Sequence, residues 1–489
     1  MIVKNSSLSV DTEKLRKKIL DLAMRGKLIP QDSQDEPASV LLEKIKEEKA
    51  QLIKEKKIKK SKPLPEITEE EKPFEIPESW EWVRLGEVGV WGAGATPSRK
   101  KDAYYTNGTI PWLKTGDLND GIIKYTEEKI TKKALEETSV KLNDKGNVLI
   151  AMYGATIGKL GIADYELTTN QACCGCKPFI YNWFLFYYLL KSRDRLIKMG
   201  AGGAQPNISK QKIESFLCPL PPLAEQKHIV AKVEECMQVI KTIEDSSKEY
   251  EKLENQLDKK VLDLAMRGKL LPQDSQDEPA SVLLEKIKEE KAQLIKEKKI
   301  KKSKPLPEIT DEEKPFEIPE SWEWVRLGEN IQIDRGGSPR PIKSYLTDDE
   351  NGINWIKIGD TKENSKYITS TKEKIIPEGL KKTRLVNKGD FLLSNSMSFG
   401  RPYILKIDGA IHDGWLVISD FVSMLDNDFL YYLLSSKVIK DQFARLATGS
   451  TVKNLNKDRV SRVIIPLPPL AEQKRIVAKI EEIKQYLEI

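Results

Sequence analysis

The sequence is poor in the residues that support acid–base and metal chemistry. Its two histidines, His228 and His412, leave almost no material for histidine-based catalysis. The five cysteines are an odd number, and three of them crowd together between Cys173 and Cys176, so no disulfide framework is expected. Cys173 and Cys176 have the spacing of half a zinc signature but no second pair, and a buried strand is the better interpretation. We predict that this chain binds no metal ion and no cofactor.

Long apolar runs and catalytic motifs are also missing. No stretch approaches the ~20 apolar residues that cross a bilayer, and the first residues lack the apolar centre of a secretory signal, so a cytoplasmic location is the simplest expectation. The sequence contains no Asn-Pro-Pro-Tyr or Asn-Pro-Pro-Phe for methylating an amino group, and no GxxxxGK[ST] loop for ATP. It also offers no convincing pair of acids with a lysine for a nuclease. We therefore predict no catalytic residues and no enzyme activity of the chain by itself.

The chain contains two segments that each occur twice, and we call each pair of segments together the frame. Residues 20–87 return as residues 262–329 with two substitutions, and residues 219–235 return as residues 466–482 with two more. The inserts between these frames resemble each other only faintly. Self-similarity at such a long period indicates duplicated domains rather than a solenoid. The pattern is typical of one platform that carries two different readers.

The excess positive charge lies in the inserts. The first insert, residues 88–218, holds 18 Lys and Arg against 12 Asp and Glu, and the second, residues 330–465, holds 21 against 16. Because the net charge of the whole chain is only +6, the remainder is acidic overall. Basic inserts suit contact with nucleic-acid phosphates, although a surplus of this size also arises by ordinary scatter.

A second concentration of positive charge lies in the frame. Residues 54–62 read KEKKIKKSK, and the same letters return at residues 296–304. The run is either a solvated helix end that complements the helix dipole or a strip that contacts phosphate groups. The sequence leaves both interpretations open.

Composition divides the chain into five parts. Apolar spacing predicts helices at 11–25 and 37–60, and four prolines then make residues 61–77 an extended connector. The predicted order is a repeated helical region with its linker (1–77), a first globular domain (78–218), a central repeated helical region of two helices and a linker (219–319), a second globular domain (320–465) and a C-terminal repeated helix (466–489).

Both globular domains have the pattern of a mixed α/β fold. The first has strand candidates at 110–114, 147–153 and 172–177 and a helix at 183–198. The second follows the same order in weaker form, with INWIKIGD answering IPWLKTGD and a helix at 429–446. The predicted fold class is therefore α/β (mixed α+β) in two pseudo-symmetric copies, joined by long antiparallel coiled-coil helices.

Residues 222–268 carry the longest helical signal. A helix of that size is about 70 Å long, so it needs a helical partner rather than one small domain. The C-terminal helix repeats its first half, and the N-terminal helix repeats its second half. The chain is thus pseudo-circular, and we expect these helices to run antiparallel to the central helix and the two ends to meet. His228, which aligns with Arg475, is interpreted as a tolerant surface position.

Loops with phosphate-binding and base-reading side chains occur at matching places in the two inserts. Glycine lets backbone amides approach phosphate, a short helix offers its N-terminus, and Arg, Lys, Asn, Gln and Ser/Thr can reach base edges. For any single residue, an exposed loop residue that satisfies a turn is the alternative. The candidates in the first insert are Ser98, Arg99, Lys100, Lys101, Lys114, Thr115, Tyr153, Lys159, Gly203, Gln205, Asn207 and Lys210. Those in the second are Arg335, Ser338, Arg340, Lys357, Ser394, Asn395, Ser396, Arg401, Ser450, Thr451, Lys453 and Asn454.

Several stretches also carry a family resemblance. PLPPLAEQKxIVAKVEE, LAMRGKLxPQDxxDEPASVLLEKI and PESWEWVRLGEV resemble the specificity (S) subunit of type I restriction–modification systems. The GGAQPNIS loop and the strand that leads into PLPP resemble the ends of its target-recognition domains. The resemblance covers essentially the whole chain. The departure from the shorter family pattern is an extra helix–linker segment, residues 28–77, whose packing the resemblance does not give.

The resemblance implies a function and partners. Two target-recognition domains would each read one half of a split sequence in double-stranded DNA, and the helices would act as a ruler between them. Two methyltransferase (M) subunits, which use S-adenosylmethionine, would dock on the repeated regions, and motor-nuclease (R) subunits would bring ATP and Mg. Two other classes remain open: a structural coiled-coil adaptor with protein-binding inserts, and a catalytic chain such as a fused nuclease–methyltransferase, against which the missing motifs argue.

Overall fold

The computed structural model describes residues 10–200, 207–298, 305–329, 331–362, 365–395, 399–419, 424–447 and 455–487. The chain forms two compact units that divide inside one long helix, between Ser247 and Lys248. Within the described ranges, no helix combines the length and the apolar character needed to cross a membrane.

The amino-terminal unit begins with the repeated frame and continues into the first globular domain. Its helices, the last of which continues past Ser247, are α1 (Thr12–Met24), α2 (Ala38–Lys54), α3 (Lys132–Glu137), α4 (Asn182–Gly200), α5 (Lys210–Glu214) and α6 (Leu223–Met266). Its strands are β1 (Glu81–Arg84), β2 (Gly89–Ala93), β3 (Ile110–Leu113), β4 (Gly121–Ile123), β5 (Glu128–Ile130), β6 (Leu142–Asn143), β7 (Val148–Ala151), β8 (Leu160–Ala163), β9 (Leu167–Thr169), β10 (Cys173–Pro178) and β11 (Leu217–Leu220).

The carboxy-terminal unit repeats this order after the second half of α6. Its further helices are α7 (Ala280–Lys296), α8 (Asn427–Ser435), α9 (Lys437–Leu446), α10 (Lys457–Ser461) and α11 (Leu470–Leu487). Its strands are β12 (Glu323–Arg326), β13 (Gln332–Arg335), β14 (Leu346–Thr347), β15 (Ile353–Ile356), β16 (Tyr367–Ile368), β17 (Glu373–Ile375), β18 (Arg384–Val386), β19 (Phe391–Ser394), β20 (Pro402–Leu405), β21 (Gly409–Ile411), β22 (Trp415–Ser419) and β23 (Ile464–Leu467).

Both units contain the same pair of sheets. The five-stranded sheet β2-β10-β7-β8-β4 corresponds to β13-β22-β19-β20-β16, and the four-stranded sheet β5-β3-β9-β6 corresponds to β14-β17-β15-β21-β18, which has one strand more. Even the parallel pairs recur, since β3–β9 and β4–β8 match β15–β21 and β16–β20. In each unit, an antiparallel pair closes the domain onto the frame, β1–β11 or β12–β23. The predicted shared mixed α/β fold is confirmed.

The cysteine-rich stretch forms a central strand. Cys173, Cys174 and Cys176 lie in β10, between β2 and β7, and all three are buried. Burial raises the pKa of each thiol, that of Cys174 to about 12. The predicted buried strand is confirmed. Across the described residues, no group of three His, Cys, Asp or Glu side chains is placed to hold a metal ion.

Two predicted helices end differently in the structure. The helix expected at 37–60 is α2, which stops at Lys54 because Lys56 adopts a left-handed φ of 59°. The following N–H groups bond back to carbonyls of the last turn, which closes the helix. The helix expected at 429–446 is divided at Ser436, whose ψ of 154° is extended. Ser436 is buried and its hydroxyl has no hydrogen-bond partner among the described residues, so no side-chain cap accounts for the break.

The long helix is continuous over 44 residues, as predicted. In the amino-terminal unit, Arg16 of α1 pairs with Glu244 at 2.8 Å. Gln31, beyond the carboxyl end of α1, donates to Glu225 at 2.9 Å. Residue numbers increase along α1 while the residue numbers of their partners in α6 decrease. α1 therefore runs antiparallel to the first part of α6.

The carboxy-terminal unit has the equivalent arrangement. Lys484 of α11 approaches Asp258 at 3.9 Å, and Gln273 donates to Glu472 at 2.7 Å. α11 therefore runs antiparallel to the last part of α6, and the predicted antiparallel pairing is confirmed within each unit. The predicted meeting of the chain ends concerns residues 1–9 and 488–489, which lie outside the described residues.

The extra segment, residues 28–77, folds back onto the start of the globular domain. Arg84, which is 4% exposed, donates to the carbonyls of Pro65, Glu66 and Ser215 and pairs with Glu71 at 2.8 Å. The second copy repeats this arrangement. One buried guanidinium thus ties the proline-rich connector to strand β1 and to the chain before β11.

One difference between the two frames has a structural consequence. Arg475 donates to Asp277 Oδ1 at 3.0 Å and pairs with the other carboxylate oxygen, which lowers the pKa of Asp277. The corresponding carboxylate in the first copy, Asp35, has a buried oxygen without a hydrogen-bond partner, and an exposed histidine, His228, stands in place of the arginine. His228 is exposed, in agreement with the predicted surface position, whereas its counterpart Arg475 binds a carboxylate.

The substitution His228→Arg should stabilise the amino-terminal unit. It restores the arginine fork to Asp35, for which we expect a gain of about 0.5–1 kcal/mol in the free energy of unfolding at neutral pH. Differential scanning calorimetry of the full chain measures it, and Arg475→His, the matched control, should destabilise the other unit. Because the pKa of Asp277 is lowered in the folded state, the Arg475 contribution is complete above the ordinary Asp pKa of about 4 and is lost as the pH falls through the lowered value. Unchanged unfolding in both variants would contradict this account.

Candidate nucleic-acid interface

Two predicted cations of the first domain meet on one carboxylate. Arg99 pairs with Glu128 at 2.7 Å and lies over the rings of Tyr105 and Trp112, 4.5 and 4.9 Å from their centroids. Lys114 Nζ approaches the same Glu128 at 3.0 Å. The hydrogen bond from Arg99 is the main cause of the lowered pKa of Glu128. Lys114 also pairs with Glu127 at 3.2 Å, so Arg99 and Lys114 form one oriented, charge-balanced cluster with two carboxylates near the end of strand β3.

The corresponding turn of the second domain has the same construction. Lys357 pairs with Glu373 at 2.6 Å, and the turns at Thr115–Asp117 and Ile358–Asp360 are both short 3-10 helices. In each, the aspartate accepts the backbone N–H of the preceding lysine. The predicted correspondence of Lys114 and Lys357 agrees with this geometry.

A second group of candidates lies around the end of strand β7. Tyr153 forms an isolated bridge with Asn207, so the loop after β7 and the start of the segment leading to α5 lie side by side. Lys210 is the first residue of α5, and its Nζ pairs with Glu214 at 3.2 Å. Lys159 is exposed. Gly203 and Gln205 lie outside the described residues.

In the second domain the candidates gather on Asp413. Ser338 Oγ donates to its carboxylate at 2.7 Å, which is the main cause of its lowered pKa. Arg335 Nε and Asn395 Nδ2 donate to its backbone carbonyl. Ser394 is joined to the next candidate, since its Oγ accepts the N–H of Arg401.

Two of these candidates cannot present their side chains to a ligand. Ser394 and Asn395 are each 1% exposed, and Asn395 bridges three stretches of chain, since its backbone carbonyl also accepts the N–H of Leu455. In this structure they shape the loop rather than line its surface. The remaining candidates of this loop region, Ser396, Ser450, Thr451, Lys453 and Asn454, lie outside the described residues.

Four predicted cations are exposed and unpaired. Within the described part of the chain, Lys100, Lys159, Arg340 and Arg401 form no ion pair with a carboxylate. Lys101 differs, because its Nζ bonds the hydroxyl of Tyr104 at 2.9 Å, and Ser98 and Thr115 stand at loop and turn positions. Unpaired cations suit phosphate contacts, whereas cations held by Glu128 or Glu373 have a defined direction, as base-edge contacts require.

The acidic anchors were not predicted from the sequence. Glu128 and Glu373 lie opposite Trp112 and Trp355 in equivalent strand pairs. A signal was available, because the triplet Glu-Lys-Ile recurs in both inserts shortly after the WxKxGD motif. Asp413 had no such signal, since its partners are up to 78 residues away in the sequence.

Known proteins match both the sequence and the fold. A family model described as the type I restriction modification DNA specificity domain matches residues 77–255 and 319–489. The type I restriction enzyme EcoAI specificity subunit of Escherichia coli is 31% identical over 97% of this chain and 89% of that protein. The EcoEI specificity subunit of the same species is 30% identical over 96% and 88%.

Solved structures share the architecture. The HsdS subunit from Thermoanaerobacter tengcongensis has a TM-score of 0.53 at 22% identity and covers 85% of this chain and 92% of its own. A chain from a structural study of complex assembly and conformational transition of the type I R-M system has a TM-score of 0.58 at 23% identity, with the same coverage. At these identities the likeness shows the fold, and the family follows from the sequence matches. The chain belongs to the family of type I restriction–modification specificity subunits.

Proposed function

We propose that this chain is the DNA-reading, non-catalytic subunit of a type I restriction–modification complex and that its target is bipartite. Each globular domain reads one half of the target, and the frame helices set the gap between the halves. The observation that carries the proposal is the repetition of one fold and one frame around two loop surfaces of different chemistry.

The loop chemistry supports two different half-sites. The first domain combines Arg99 and Lys114 on Glu128 with the Tyr153–Asn207 pair. The second has Lys357 on Glu373 and a different group, Arg335 and Ser338 on Asp413. Because hydrogen-bond donors held at fixed angles select base edges, equal scaffolds with unequal loops read unequal sequences.

The frame is the proposed site for partners. Two methyltransferase subunits would dock on its two copies, because near-identical surfaces bind identical subunits, and motor-nuclease subunits would complete the cleaving complex. S-adenosylmethionine would belong to the methyltransferase subunits, and ATP and Mg to the motor-nuclease subunits, with no cofactor held by this chain. The chain would act in the cytoplasm, where the DNA that it binds is found.

A genome methylation map tests the proposal. In a host that carries this chain with its methyltransferase subunits, we expect methylated adenines at one motif made of two defined halves and an unspecified gap of constant length. A host lacking only the gene for this chain is the control and should lose that methylation. A continuous motif, or no motif while the subunits still assemble, would overturn the proposal in favour of a protein-binding adaptor.

A further inference from the structure

We propose that the lysine run at residues 54–62 is a second, sequence-independent DNA surface, which contacts the phosphate backbone flanking the half-site read by the first recognition domain. This inference rests on the proposed function, because it assumes that the adjacent domain holds DNA. It assigns a role to a part of the frame that the reading loops do not include.

The run is a concentrated and available positive charge. It holds six lysines and one glutamate in nine residues, and all six lysines are exposed. Within the described residues, only Lys57 forms an ion pair, with Glu55 at 2.8 Å. A solvated helix end would complement the helix dipole from its last turn, but most of this run lies beyond the end of α2, at Lys54.

A lysine occupies a backbone position of high conformational energy at the start of the run. Lys56 adopts φ 59° at the position after the helix cap, where glycine is the usual residue. The corresponding Lys298 adopts φ 56°. A left-handed conformation costs a non-glycine residue roughly 1 kcal/mol, so both copies keep a positive charge where a neutral glycine would be more stable.

The run lies beside the end of the recognition domain that leads to its predicted loops. Leu64 and Glu214 both pack against Gly86. A Cβ atom added to Gly86 would lie 3.0 Å from Leu64 and 3.1 Å from Glu214. Glu214 is the last residue of the short helix α5, which begins at Lys210. The connector that continues the run therefore lies beside the carboxyl end of α5, the helix whose first residue, Lys210, is a predicted DNA contact.

The run borders a cleft of mixed chemistry. The cleft, of about 630 Å³ between α2 and the connector, is lined by Lys49, Lys60 and Lys62 together with two glutamates and apolar residues that include Trp82. Lys49 Nζ is fixed by the backbone carbonyls of Gly86 and Glu87, at 2.6 and 3.3 Å. Exposed lysines are typical of phosphate contacts and are depleted at protein interfaces.

The repetition of the run favours phosphates over base edges as its contact on DNA. The same nine letters precede both recognition domains in the sequence, although residues 299–304 of the second copy lie outside the described residues. A partner that both copies of the run contact must be the same next to two domains that read different DNA sequences. Phosphates meet this condition at every sequence, whereas base edges do not.

The test compares three forms of the full chain, each purified with its methyltransferase subunits: the wild type, a variant with Lys→Gln at positions 54, 56, 57, 59, 60 and 62, and a matched variant with Lys→Arg at the same positions. Dissociation constants are measured as a function of salt on duplexes that extend about 15 base pairs beyond the first half-site and on duplexes trimmed at its edge. Since each phosphate contact contributes about 0.9 to the salt slope, the Lys→Gln variant should lower the slope by about 2–4. Its affinity at moderate salt should fall about ten- to a hundredfold on the long duplex.

The internal controls locate the contact. On the trimmed duplex, the Lys→Gln variant and the wild type should bind equally, and the Lys→Arg variant should bind like the wild type throughout. The ratio of specific to non-specific affinity should not change. An equal loss on long and trimmed duplexes, an unchanged salt slope, or a loss of methyltransferase subunits from the complex would overturn the inference, the last in favour of a protein contact. Failure of the proposed function would differ, because the wild type itself would then show no sequence preference.

Discussion

Replacing residues 88–218 with the chain's own second insert, residues 330–465, should give a complex that methylates a target carrying the second half-site twice. The junctions are native to both inserts, because EWVRLGE precedes each insert and Pro-Leu follows each. Strand β1 pairs with β11 in the same register as β12 with β23. The transplanted domain therefore meets the partner strand that it meets in its own unit.

The expected change is all-or-none for one half of the target. The contacts of each reader are local to its loops, and a wrong base pair costs about 1–3 kcal/mol at each position read, so the original first half should no longer be selected. Sequencing methylated adenines in a host with the exchanged chain measures this. The reciprocal exchange, with the first insert in both places, is the matched control and should double the other half. A change in both halves or in neither would contradict the assignment of one reader to each half.

Deleting two helical turns from both arms of the frame should shorten the gap between the half-sites and leave their sequences unchanged. The deletion in the central arm is residues 246–252 of α6, and seven residues at the end of α11, residues 481–487, are removed from the terminal arm. Seven residues shorten a helix by about 10.5 Å, which corresponds to about three base pairs of DNA. Seven residues are also close to two full turns, so the helix faces beyond the deletion keep nearly the same direction.

The control keeps the length and changes the side chains. Replacing the same residues with helix-forming Ala, Glu and Lys should leave the gap as it is, because a ruler depends on rise per residue rather than on identity. Methylation mapping gives the gap in both cases. A gap that stays constant after the deletion, with methylation retained, would show that something other than α6 sets the spacing.

Much of the architecture followed from the sequence because it rests on short-range patterns. The strand at Cys173–Pro178 was predictable from its apolar run, and α4 and α6 from the spacing of their apolar residues. The shared fold of the two inserts was predictable from paired motifs such as WxKxGD. These signals depend on neighbours within a few residues, which a linear sequence displays directly.

The points on which prediction failed have local and distant causes. The end of α2 at Lys54 is set by the left-handed backbone of Lys56 and by hydrogen bonds within the last turn. The burial of Ser394 and Asn395 depends on contacts with more distant parts of the chain. Periodicity alone extended α2 too far and did not show the break at Ser436. It also treated buried loop residues as exposed ones, because polar side chains that bond distant backbone groups look the same in sequence as solvated ones.

By itself, the sequence determined that one frame is repeated around two different α/β inserts and that α6 needs helical partners. Repetition and apolar period are properties of the letters. Only the tertiary structure decided that Arg84 ties the extra segment to β1, that Arg475 binds Asp277 while Asp35 lacks such a partner, and that Glu128 and Asp413 orient the predicted DNA contacts. The physical reason is that ion pairs and hydrogen bonds join groups that are close in space, and the folded chain sets that closeness across tens to hundreds of residues.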